Sequence, residues 1–145
     1  MSIIIKPIFK LIADEEIHQL EQKLKFALPE DYRSFLLKYN GGSPSPNVFF
    51  ISKEQQESCI SLFFGVASKS AYDIWINALD FYEYYDRDLL PIGEDPGGSQ
   101  IIMGLGAQRF GKIYFNDHEQ QGDSSLYPIA NSFTDLLNKL YKSTS

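Results

Sequence analysis

Asp117, His118 and Glu119 are residue types that ligate divalent metals, and they stand in a row. Along a strand, neighbouring side chains point to opposite faces, so three consecutive residues cannot converge on one ion. A zinc site would need further ligands, and His18 is the only other histidine. The triplet therefore reads as a polar strand end. Ser99 and Ser132 sit in no nucleophile-elbow pattern. Gly104-Leu105-Gly106 lacks the Lys-Ser/Thr of a phosphate loop, and Gly111 is wrongly spaced for a dinucleotide fingerprint, so these read as turn glycines. Asp86 and Asp88 alternate as calcium ligands do, without the glycine and terminal glutamate of that motif. Cys59, in an apolar run with no basic neighbour, reads as a small core residue and not as an activated thiolate. No catalytic, metal or cofactor set is expected, and the chain is expected not to be an enzyme.

What remains is charge. Asp86, Asp88, Glu94, Asp95, Asp117 and Glu119 flank or lie within the stretch 89–119, with Tyr84 and Tyr85 close by. Charged loops are usually just solvated. Carboxylates mixed with tyrosines also suit a surface that meets a basic protein, where complementary charge steers association. These eight residues form the expected partner-binding set. A net charge of −6 argues against direct contact with nucleic acid, which needs clustered Lys and Arg. Apolar runs fall short of the ~20 residues that cross a bilayer. With one cysteine and no export signal at the start, the expectation is a cytoplasmic protein without an internal disulfide, monomeric or weakly dimeric.

The elements that must position these residues follow from the pattern. A chain of 145 residues fits one domain, and nine Tyr with eleven Phe promise an aromatic core. Residues 2–11 read as an extended lead-in that turns into a short helix. Asp14 is the expected cap of the next helix, with Ile17, Leu20 and Leu24 on one face. Pro29 is expected at the first position of another, where its missing N–H costs nothing. Tyr32, Phe35, Leu36 and Tyr39 make that helix's stripe, and Asn40-Gly41-Gly42 ends it. Strands are expected at 47–52 and 58–66, joined by a polar connection at 53–57. Residues 70–85 read as a helix buried on more than one side, because Tyr72, Trp75, Ile76 and Tyr82 spread apolar bulk around the stripe of Ile74, Ala78, Phe81 and Tyr85. A turn at 93–98 precedes a hairpin of 101–103 with 112–116 across a long connection. After a polar loop at 120–125, Pro128 marks 126–129 as an edge. Ser132 and Asp135 start a last helix, and the tail 142–145 should fray.

Two blocks carry a family resemblance. Ile17-x-x-Leu20-Glu21-x-x-Leu24, then Leu28-Pro29-Glu30-Asp31-Tyr32-x-x-Phe35-Leu36 and Asn40-Gly41-Gly42, resemble the N-terminal signature of the SUKH superfamily (Smi/Knr-like). Pro91-Ile92-Gly93-x-Asp95-x-Gly97-Gly98 with Ile101, then Gly111-Lys112-Ile113-Tyr114-Phe115 and Asp117-His118-Glu119, are similar to its central stretch. Ser132-Phe133 with Leu136-Leu137 is similar to its closing helix. The chain departs from the pattern at Phe115-Asn116, where many relatives carry tryptophan before the acidic residue, and at Ser99, where asparagine is common. The resemblance implies a single α+β domain with an antiparallel sheet backed by helices. It also implies an immunity protein that binds and neutralises a cognate toxin domain, often a basic nuclease, with no activity or cofactor of its own. The alternative it carries is a regulatory or adaptor scaffold for another cytosolic protein.

Overall fold

The computed structural model describes residues 3–51, 56–118 and 125–142. Among them lie four helices and nine short strands, the α+β architecture expected. Helix α1 (Asp14–Leu24) buries Ile17, Leu20 and Leu24. Its cap is Ala13, one residue earlier than expected: the Ala13 N–H donates to Glu16 Oε2 at 3.3 Å, which leaves Asp14 in the first turn. In the same way Pro29 caps α2 (Glu30–Tyr39) from just outside it. The helix stops because Asn40, Gly41 and Gly42 all take positive φ, at 51°, 85° and 119°. At Gly41 a Cβ would lie 2.5 Å from the Phe64 carbonyl oxygen, so only glycine lets this turn approach the chain beneath it.

The lead-in is extended, and β1 (Ile4–Lys6) pairs antiparallel with β2 (Ser43–Ser45). The single strand expected at 58–66 is divided. β4 (Glu57–Cys59) pairs with β3 (Val48–Phe50), while β5 (Leu62–Phe63) enters the main sheet, with Ile60 fully buried between them. The main sheet is an antiparallel run in the order β5, β6 (Leu89–Glu94), β7 (Gln100–Gly104), β8 (Ile113–Asn116), β9 (Leu126–Ala130). β6 was not legible as a strand because it contains Pro91, which the sheet accommodates beside a bulge between Pro91 and Gly93. The long β7–β8 connection and the edge position of β9 are as expected.

Alternation gives the sheet two faces. Leu90, Ile92, Ile101, Met103, Ile113 and Phe115 join the main core under α1, α2 and α4 (Phe133–Lys139). At its centre four rings interlock: Phe133 lies 5.0 Å from Tyr32, 4.7 Å from Phe35 and 5.3 Å from Phe63. On the other face Leu89 and Ile102 pack with Phe81 from α3 (Ile74–Phe81). Only Ile74, Ala78 and Phe81 of α3 are buried, and Ile76 and Leu79 face solvent. The expectation of a longer helix buried on more than one side is corrected. Asp73 accepts from the Trp75 and Ile76 amides and starts α3 late, and the chain turns off after Phe81. Most of 53–57, the loop 120–125 apart from Ser125, and most of the tail lie outside the described residues.

Candidate interaction surface

The expected partner-binding residues separate into two groups at opposite ends of β6, about 17 Å apart at roughly 3.4 Å per residue. At the end that follows α3, Asp86 and Asp88 grip Arg109 from the β7–β8 connection. Arg109 Nη2 lies 2.9 Å from Asp88 Oδ1 and 3.4 Å from Asp86 Oδ2, and its Nε donates to Asp88 Oδ2 at 3.2 Å. The bond to Asp88 raises the guanidinium pKa further, so the cation is permanent. One guanidinium offsets one of these two negative charges, chiefly that of Asp88, while Asp86 stays largely exposed. Tyr85 is engaged too: its ring stacks on Phe81 at 4.2 Å, and its hydroxyl meets Asn116 Oδ1 at 3.2 Å and Ser125 Oγ at 3.0 Å. Tyr84 next to it is 80% exposed.

At the far end, Glu94 closes β6 opposite Gln100, which in turn faces Asn116 on β8. Asp95 and Asp117 follow directly, so the carboxylates of two strand ends share one edge of the sheet. Asp95 builds the turn between β6 and β7: its Oδ1 accepts from the Gly97 and Ser99 amides at 3.0 and 2.8 Å, and its Oδ2 from Ser58 Oγ at 3.0 Å. This is the side-chain turn chemistry expected of Asp there. Ser99 is buried, and its hydroxyl links to His118, 2.6 Å from Nδ1 and accepting from the His118 N–H at 3.1 Å. Glu94 is half-buried; burial first, then the charge of Asp95, raises its carboxyl pKa. Among the described residues neither Glu94 nor Asp95 enters an ion pair, in contrast to Asp86 and Asp88. Glu119 lies outside the described residues.

No group of three or more His, Cys, Asp or Glu side chains among the described residues could hold a metal. Burial, and then Asp95, raises the Cys59 thiol pKa, which disfavours the thiolate. No described helix is long and apolar enough to cross a membrane.

The SMI1 / KNR4 family (SUKH-1) matches residues 11–139. The chain belongs to that family. It is also similar to the SPbeta prophage-derived uncharacterized protein YokK of Bacillus subtilis (strain 168), 28% identical over 146 aligned positions that cover 88% of this chain and 73% of the relative. Family membership gives the signature residues their structural meaning. Glu21 pairs with Arg33 and accepts the Leu28 amide at 2.7 Å, which joins α1 to the start of α2. Asp31 accepts both the amide and the hydroxyl of Thr134, at 2.9 and 3.0 Å, tying α2 to α4. Asn40 holds two distant segments through its side-chain amide. Helix start-and-stop chemistry pointed to Asp31 and Asn40 but not to their long-range partners, 103 residues away for Asp31.

Proposed function

We propose that this SUKH-1 protein is an immunity protein that neutralises a cognate toxin domain by stoichiometric binding, and that the toxin meets the Glu94–Asp95–Asp117 end of the sheet. The family, which includes immunity proteins and is generally non-enzymatic, supports the first half. The prophage origin of a relative fits a protein carried with a mobile toxin module. The observation that carries the second half is the contrast between the two ends of β6. One pair of carboxylates already holds Arg109, while Glu94 and Asp95 sit half-buried with no cation of their own among the described residues.

A carboxylate with a raised pKa gains most when a partner brings the missing positive charge, because the attraction acts where water is already partly excluded. An enzyme that grips phosphate presents such a cationic cleft, and an acidic chain of −6 net charge is steered into it. The test is co-expression with the toxin domain encoded beside this gene, scoring survival. Glu94→Lys with Asp117→Lys and Glu119→Lys should abolish protection while the circular dichroism spectrum and melting temperature persist. Asp95 is kept, because its carboxylate builds the turn. Full protection by the folded triple variant would overturn the assignment.

A further inference from the structure

The outer face of α3 presents two large apolar side chains to solvent beside the exposed Asp80 and Glu83. At 100° per residue Ile76 and Leu79 point away from the buried Ile74, Ala78 and Phe81, and they are 45% and 47% exposed. Just before the helix, Tyr72 is 41% exposed and lines an open groove of about 680 Å³ together with Ile8 and Leu11. The residue pattern of 70–85 is apolar on this side as well, and the described residues leave Ile76 and Leu79 exposed. Large apolar side chains left open at both the helix and the groove favour a contact with another protein.

Charge selects the occupant. The groove end is basic, with Lys10 and Lys69 in its wall beside one acid, Glu16. The other end carries Asp80 and Glu83, with Arg87 held over Tyr82. A basic toxin would be repelled at the groove end. A second copy of this chain, related by a two-fold axis through the middle of α3, would place each basic end against the other copy's Asp80 and Glu83. Such an isologous contact is the commonest way a chain pairs with itself. It also brings Tyr84, the exposed ring just past α3, to the other copy's groove, whose mixed lining of Ile8 and Leu11 with Ser68 and Lys69 suits a ring with a polar tip.

We infer that the protein forms a two-fold homodimer through antiparallel α3 helices, with Tyr84 of each copy seated in the groove beside Tyr72 of the other. The test is sedimentation equilibrium of the full chain from low to high micromolar concentration. Expected is a concentration-dependent dimer whose Kd rises about tenfold or more in Tyr84→Ser, and which is lost in Ile76→Glu/Leu79→Lys with the melting temperature retained. Lys69→Glu and Glu83→Lys should each weaken the dimer, and the double exchange Lys69→Glu/Glu83→Lys should restore it, since the two-fold pairs one with the other. A chain that stays monomeric throughout would overturn the inference, and so would a dimer indifferent to Ile76 and Leu79. Capture of the toxin domain that disappears with Ile76→Glu/Leu79→Lys while Glu94→Lys leaves it intact would assign the face to the toxin and overturn it too.

Discussion

Replacing Asn40 with Ala should cost about 3–5 kcal/mol, a large share of the roughly 5–15 kcal/mol that holds a domain together. Asn40 is 1% exposed and stands in the left-handed region at φ 51°. Its side-chain amide donates to the Lys10 carbonyl at 2.9 Å and the Val66 carbonyl at 3.0 Å, while its Oδ1 accepts the Val66 N–H at 2.8 Å. Alanine leaves that buried amide without its acceptor, at about 1–3 kcal/mol, and removes one bond from each of two carbonyls. It also adds about 1 kcal/mol for a Cβ at positive φ that Asn tolerates better. Urea denaturation should show the midpoint falling with an unchanged slope, and the melting temperature should drop by about 10–15 °C. Asn40→Gly should recover about 1 kcal/mol of the loss, because it lifts the backbone part alone. Asn40→Asp turns a donor into a carboxylate facing two carbonyls, which raises its folded pKa. Its deficit is then largest at neutral pH and shrinks as pH falls through that raised value and the acid regains a proton to donate. An alanine variant within about 1 kcal/mol of the parent would refute the reasoning, since no sum of these terms is that small.

Gly41→Ala should destabilise by several kcal/mol, on the order of the largest single-site effects, because its Cβ would meet the Phe64 and Phe63 carbonyl oxygens at 2.5 and 2.6 Å; thermal melting measures it. Glu94 has a raised folded pKa, so its ionisation disfavours the fold: the contribution present below the unfolded pKa is lost as pH rises through the folded one. Glu94→Gln should therefore be at least as stable as the parent at pH 7, the difference vanishing in acid, while toxin affinity falls. Asp135 has a lowered pKa, from the Asn131 N–H first and Lys139 after it, so its contribution is present above the unfolded pKa and lost as pH falls through the folded one. Asp135→Asn should cost about 0.3–1 kcal/mol at pH 7 through the lost charge in the first turn, and nothing once Asp135 is protonated in the folded and unfolded chain alike, as chemical denaturation at several pH values would show.

The legible parts of the fold were those set by short-range chemistry. Pro29, the run Asn40-Gly41-Gly42, the Asp95 turn and the Ser132 cap each act within a few residues, and each is found within one residue of its expected place. The misreadings share a cause. At 58–66 the alternation of Ile60, Leu62 and Phe64 looked continuous, but burial there comes from two different sheets, so the strand breaks at Ile60 and Ser61. In 70–85 the pattern spreads apolar bulk round the helix, whereas the tertiary structure covers Ile74, Ala78 and Phe81 with Trp75 and Tyr82 at the margin and leaves Tyr72 and Ile76 exposed. For the surface, residue type alone could place eight candidates together, but not distinguish Asp88, whose counter-charge Arg109 stands 21 residues on, from Glu94, which has none among the described residues.

The two proposed surfaces together predict a stoichiometry. Glu94 ends β6 on the side away from Asp86 and Asp88, and the face of α3 that carries Ile76 and Leu79 points away from the sheet it packs on. Pairing two copies through α3 therefore leaves both Glu94 ends open, and a dimer should bind two toxin domains in a 2:2 complex. Because sites this far apart share no partners, their energies should add. Native mass spectrometry should show 2:2 for the parent, 1:1 for Ile76→Glu/Leu79→Lys with toxin affinity unchanged, and free dimer for Glu94→Lys/Asp117→Lys. A 2:1 complex would mean that the first toxin covers the two-fold axis and both copies at once, which an interface at the far end of β6 cannot do.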